Sequence, residues 1–259
     1  MILAGMLALT ALAYTVGYVR IRRLGRTFSP YAALAFGAGL GVTVAALYGP
    51  IDALADASLS WHMVQHLALI AVVAPLLLIG APIRLALGAL PARAATWLAR
   101  VLNSGAVRVL SHPLVGLAIL AAVLYGTHFS ALYERALEDE TVHAWEHGLY
   151  LLAGLLFWSP LFAVAPAPHA ASHPVRILAL FLSLPACAFL GFAFYVTNHV
   201  LYQHYAGRPG ALQDQMNGGA VMWLSAGTPV LLALLWCVAD WGARERRLGE
   251  VFDRTGEVS

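Results

Sequence analysis

Lysine is missing from this 259-residue chain; all fifteen of its basic residues are arginine. Charge of either sign is scarce, with Asp, Glu, Lys and Arg at 11% and a net charge of +2. No Lys/Arg-rich block is long enough to make a nucleic-acid surface. Cysteine is nearly absent as well. Cys187 and Cys237 both fall inside apolar runs, where they are poor disulfide candidates, and no C-x-x-C metal or redox motif occurs, which disfavours a thiolate site. The start, M-I-L-A-G-M-L-A-L-T, lacks a basic n-region and reads as a retained first span, not a cleaved signal. Internal repeats, a second domain and the nucleophile elbow of a serine hydrolase are also lacking.

What is present is apolar sequence. Hydrophobic residues make up 61% of the chain and the mean hydropathy is +0.76, outside the range of soluble domains. A helix needs roughly 20 apolar residues to cross a bilayer. Seven stretches qualify: 2–20, 30–48, 61–80, 112–130, 143–164, 175–199 and 216–240. Residues 82–108, with Pro82, Pro91 and four arginines, are too polar to span and read as an interfacial segment. Pro75 and Pro185 are expected to kink their helices. The expected fold is an all-α polytopic membrane protein, a single seven-helix transmembrane domain over 1–243, followed by a short, loose, charged tail over 244–259.

Orientation follows from the arginines. Arg20, Arg22, Arg23 and Arg26 lie between spans one and two; Arg84, Arg93, Arg100 and Arg108 lie between spans three and four. Arg176 follows span five, and Arg244, Arg246, Arg247 and Arg254 follow span seven. All of these fall on one side, against Arg135 and Arg208 on the other, which places the N-terminus outside and the C-terminus in the cytoplasm. The outer loops then hold Asp52, Asp56, Glu134, Glu138, Asp139, Glu140 and Asp214, a face whose sign attracts cations.

With this orientation the ten histidines sort unevenly. His62, His66, His128, His143, His147, His199 and His204 lie near the outer surface. His112, His169 and His173 lie on the cytoplasmic side; His112 and His173 each precede a proline and suit helix starts or loops. Two outer pairs share a spacing: His62-x-x-x-His66 and His143-x-x-x-His147. Residues four apart lie on one helical face about 6 Å apart in rise, so each pair can present two imidazoles to one ion. His66 and His147 lie one turn deeper, where a lone imidazole is harder to satisfy. Glu146 reads as a ligand, as an acceptor for an imidazole N–H, or as a proton handler. Met63, Met216 and Met222 lie near the outer halves of their spans, as do Met1 and Met6; thioether with imidazole suits Cu(I), imidazole alone Cu(II) or zinc.

A set of ordered motifs adds to this. Trp61–His66 reads W-H-M-V-Q-H and leads through Pro75 to Gly80, Ala81 and Pro82. Thr127–Tyr133 reads T-H-F-S-A-L-Y, His143–His147 reads H-A-W-E-H, Gly154–Pro160 reads G-L-L-F-W-S-P, and Asp214–Trp223 reads D-Q-M-N-G-G-A-V-M-W. From about residue 60 to 225 the chain resembles the CtaG-type cytochrome c oxidase assembly factors. The resemblance implies a bacterial inner-membrane protein needed to mature a haem-copper oxidase by handling copper. Its implied partners are the oxidase subunits and a periplasmic copper donor. Carried over by position, the implied metal residues are His62, His66, His128, His143, His147, Asp214 and Met222. The chain departs from a soluble copper chaperone in having no Cys-rich or Met-x-x-Met capture motif.

Other functions fit the same composition. A zinc-dependent seven-helix lipid amidase would use Glu146 or Asp214 as general base to a zinc-activated water, with Ser58, Ser60 or Ser130 assisting. A haem b electron carrier needs two histidines facing each other across a bundle, whereas histidines four apart on one helix cannot take opposite faces of one haem. A scaffold without metal leaves the histidine clustering as coincidence.

Overall fold

Inside a bilayer every backbone N–H and C=O must find its partner within the chain, so spanning segments become helices. The computed structural model describes residues 2–162 and 171–256, and among them there is no strand. His169, the end of the fifth expected span and Met1 lie outside the described residues. Five helical stretches are long and apolar enough to cross a membrane: Leu3–Arg23, Pro30–Ala55, Leu59–Ala89, His173–Val196 and Ala211–Glu250. Helices α9 (Pro113–His128) and α10 (Ala131–Glu138) make a sixth if their 69° bend is counted within one span. Helix α11 (Glu140–Phe162) is 23 residues long. Glu140, His143, Glu146 and His147 in its first two turns keep it below that hydropathy.

The first two helices, α1 (Ile2–Arg23) and α2 (Pro30–Tyr48), are built from apolar residues, and Ser29 caps α2 by accepting from Ala32 N. Tyr14 stacks on Phe36 with ring centroids 3.8 Å apart and donates its hydroxyl to Gly80 O. A short α3 (Pro50–Ala55) then leads into the third span. That span is not one regular helix. It runs as α4 (Leu59–Leu67), a π-helical stretch Ala68–Val73, and α5 (Ala74–Ile79). At Pro75, expected to kink its helix, the span carries this π-helical stretch: proline has no N–H, so the carbonyl five residues back, Ile70 O, loses its partner. Trp158 Nε1 donates to it instead, at 2.8 Å. Pro185, also expected to kink its helix, lies inside the unbroken α12 (His173–Val196).

Residues 82–108 form three short helices, α6 (Pro82–Ala89), α7 (Ala92–Leu102) and α8 (Gly105–Leu110). Ala81 turns the chain into α6 in the left-handed region, at φ 50°. α6 packs on α1, with Gly17 against Leu85, whereas α7 buries no residue. The described residues of the expected tail from Arg244 are helical as far as Gly256. α14 (Ala211–Gly256) continues for 46 residues, because leaving an apolar phase does not end a helix and no proline follows Pro229.

Lipid offers apolar side chains no drive to associate, so close backbone packing carries helix–helix contact. At the crossing of α12 and α14, a Cβ on Gly191 would stand 2.5 Å from Gly219 O, and one on Gly219 would stand 2.5 Å from Gly191 O. Gly116 of α9 meets Leu156 O of α11 in the same way, at 2.7 Å, and Gly154 of α11 lies against Ile70. The main core gathers around Trp158, Tyr150, Tyr133, Phe157 and Phe194. At the other ends of α12 and α14, Asp240 pairs with His173 at 2.9 Å and with Arg244 at 3.2 Å. Arg176, which follows the fifth expected span, is buried in α12; it donates to Leu161 O and lies over the Trp236 ring.

Candidate metal centre

Two helix starts build the site. Ser58 caps α4, its Oγ accepting from Trp61 N. The Asp214 carboxylate lies over the same end and accepts from Leu59 N at 2.6 Å, Ser58 Oγ at 2.8 Å and Ser60 Oγ at 2.5 Å. A carboxylate at a helix N-terminus satisfies orphan N–H groups and complements the helix dipole. α11 begins the same way, with Asp139 Oδ1 accepting from Thr141 N at 2.7 Å and Val142 N at 3.2 Å. Each helix therefore starts at a fixed point, and each H-x-x-x-H pair faces the other helix.

The result is a four-imidazole cluster. His62, His66, His143 and His147 each offer a ring nitrogen, and these atoms lie within 4.8 Å of one another. His62 Nε2 and His66 Nε2 are 3.0 Å apart. The His62 and His143 rings stack at 4.9 Å, and the His143 and His147 centroids are 4.1 Å apart. Two nitrogens bound at about 2.0–2.1 Å to one tetrahedral ion would stand roughly 3.4 Å apart, so the set is close to a ligand arrangement. Three of the rings are buried, and the Nε2 atoms of His143 and His147 have no hydrogen-bond partner. Buried polar atoms without partners call for an explanation such as an ion.

Surrounding groups fix the rings. The Tyr205 hydroxyl donates to Ala55 O at 3.1 Å, leaving its oxygen to accept from His62 Nδ1 at 3.3 Å. Burial pushes that phenol well above its ordinary value, so it stays protonated. His62 is thereby held with Nδ1 on Tyr205 and Nε2 turned to His66 Nε2 inside the cluster, an outer-partner arrangement like that of a metal histidine. His128 lies beside the cluster, its centroid 6.4 Å from that of His66. Its Nδ1–H donates to Leu124 O at 2.7 Å, and its buried Nε2 has no partner. Glu146 is 2% exposed; its Oε1 accepts from Tyr150 at 3.4 Å, and its unbonded Oε2 stands 3.9 Å from His66 Nε2.

The structure thus brings together four of the seven expected metal residues and sets His128 and Glu146 next to them. Asp214 is placed apart from the cluster, its oxygens engaged at the head of α4. Met222 is also elsewhere: it lies in the apolar core against Gly191 and lines a cavity of about 40 Å³ with Leu124, Trp158 and Leu190. Sequence reasoning overlooked Tyr205, Tyr133 and Tyr150. Tyr150 carried a signal, standing four residues after Glu146 on one helical face.

A cavity of about 210 Å³ reaches His62 and His143, lined also by Asp56, Leu137, His204, Tyr205 and Arg208. The Asp52 and Asp56 carboxylates lie within electrostatic reach of the His143 ring. The arrangement can hold a borderline cation in a largely buried, all-nitrogen set.

Uncharacterised proteins of Mycobacterium bovis, Mycobacterium tuberculosis and Mycobacterium leprae are each 27% identical to this chain, over 94% of it and 39% of the relative. The chain therefore spans about two fifths of the length of these relatives. No solved structure matches. The family described as cytochrome c oxidase caa3 assembly factor matches residues 12–244, a range that takes in all four clustered histidines and both helix caps. By that match, the chain belongs to the cytochrome c oxidase caa3 assembly factor family.

Proposed function

We propose that this chain binds copper in its four-imidazole cluster and passes it to a subunit of a haem-copper oxidase. The observation that carries the reading is the convergence of four histidine nitrogens within 4.8 Å, with the buried Nε2 atoms of His143 and His147 left unpartnered. Copper is the cargo; imidazole suits it, and zinc is the alternative. His62, His66, His143 and His147 are the holding ligands, and His128 is a fifth imidazole positioned for ligand exchange. Glu146 supplies a compensating charge or accepts the proton a ligand releases. The proposed setting is the bacterial inner membrane, with α1, α2, α4–α5, α9–α10, α11, α12 and α14 as seven spans of one domain over 1–243. The arginine distribution supports an outer N-terminus and a cytoplasmic C-terminus, so the cluster opens to the periplasm, where a copper donor would meet it.

Four imidazoles fill a tetrahedral ion and leave no place for an activated water, which sets the lipid-amidase reading behind. Rings 4.1 to 5.5 Å apart leave no slot for a porphyrin between them. Metal analysis of the isolated protein, with an optical spectrum, tests the reading. Stoichiometric copper is expected. Zinc with chelator-sensitive amide-lipid turnover would move the chain to the hydrolases, a Soret band to the haem carriers, and absence of any metal after copper addition would overturn it.

Asp214 separates ligand from cap. Asp214→Asn is expected to weaken copper binding about tenfold, as loss of an outer support does, with stoichiometry unchanged. Loss of the copper itself at saturating concentration would make Asp214 a ligand.

A further inference from the structure

The cavity that reaches the cluster has a cation among its lining residues, Arg208. Arg208 Nη1 donates to Asp56 O at 2.5 Å, and Nη2 lies 3.1 Å from His204 Nε2. Arginine has no acceptor, so it donates here and takes up the lone pair of that imidazole nitrogen. The guanidinium also lies over the Tyr205 ring, 4.8 Å from its centroid. His204 is held in place from behind by its backbone N–H, which donates to Glu134 Oε1 at 2.9 Å. A positive group in the path of a metal ion opposes uptake, unless it occupies a position the ion itself takes up.

We propose that His204, with Asp56, forms an outer transit site for the metal ion, and that the Arg208 guanidinium holds this site when no ion is there. The inference rests on the copper reading of the inner cluster. Three features make the position a cation site: an imidazole nitrogen aimed at the guanidinium, the acidic Asp56 lining the same cavity, and the extent of that 210 Å³ cavity to His62 and His143. An arriving ion displaces Arg208 from His204, is held by that nitrogen, and moves inward by ligand exchange to His143 and His62. The return of Arg208 then closes the route behind it. No bond is made or broken beyond coordination, and no electron is transferred.

The test is the rate of copper uptake by the full chain in detergent, with copper(II) alone as the probe. Quenching of Trp61 and Trp145, which flank the cluster histidines in sequence, reports arrival in stopped flow. Arg208→Gln is expected to speed uptake about tenfold by leaving the His204 Nε2 lone pair free for the arriving ion. His204→Ala is expected to slow it about tenfold. Both should keep the wild-type copper stoichiometry, which also shows that the variants fold. In the double variant the gain from Arg208→Gln should vanish, because the guanidinium acts by holding His204. Rates within twofold of wild type in both single variants, or an undiminished gain in the double variant, would overturn the transit site while leaving the inner cluster intact. A wild-type chain that takes up no copper removes the inner cluster and the transit site with it.

Discussion

Replacing His66 and His147 together with alanine is expected to abolish stoichiometric copper binding, with at least about a hundredfold loss of affinity. These two imidazoles come from different helices and lie one turn deeper than their partners. Their rings are 5.5 Å apart, so one ion between α4 and α11 must draw on both. Removing them leaves His62 and His143, two ligands whose rings stack and which face the cavity. Two imidazoles hold an ion far less tightly than four, and the vacated volume admits water. Equilibrium dialysis against copper, with metal analysis of the retained protein, checks this. Full retention in the double variant would move the site elsewhere. The helical content should stay unchanged, because neither side chain caps a helix or bonds to a backbone group.

The second large effect is on stability. Gly191→Leu is expected to destabilise the protein by about 3 kcal/mol or more, the upper end of overpacking costs. A Cβ there would meet Gly219 O at 2.5 Å and Trp223 N at 2.9 Å. Both are backbone atoms, so α12 and α14 would have to separate. Thermal unfolding in detergent, followed by circular dichroism, measures the loss. Gly148→Ala is the control: a Cβ on Gly148 meets nothing within 4 Å, and alanine favours a helix interior by up to about 1 kcal/mol. Equal melting of the two variants would refute the crossing as the point of closest contact.

The parts legible in the sequence are those encoded locally. The i, i+4 histidine pairs could be read because both members lie on one helix and their meaning depends only on its pitch. Their convergence was inferred from depth, since all four stand just inside a helix start. Asp214 shows where local reading stops. A carboxylate ligand and a carboxylate cap are the same residue in sequence, and only the fold places this one over Leu59 N, 155 positions away. Met222 required knowing which face of α14 turns towards α12. Tyr205 lies 143 residues from the histidine it orients, with no periodicity to link them. The helical extension through Gly256 was hidden because charge reads as solvent, while the backbone reads only propensity and breakers. The number of membrane crossings depends on α9, α10 and α11, whose bend and polar turns put them at the edge of any hydropathy threshold.

The defect at Pro75 has a consequence for how this chain tolerates change. Trp158 closes the open carbonyl of Ile70, and Gly154 lets α11 touch the same residue. One rivet therefore sets the vertical alignment of two helices, four residues below His66 and seven below His147. Each inserted or deleted residue advances a helix by about 1.5 Å and turns it by about 100°. A single change of length between His66 and Ile70, or between His147 and Gly154, would swing an imidazole pair off the shared face. Spacing in these two short intervals is thus constrained more tightly than the identity of the apolar residues that fill them.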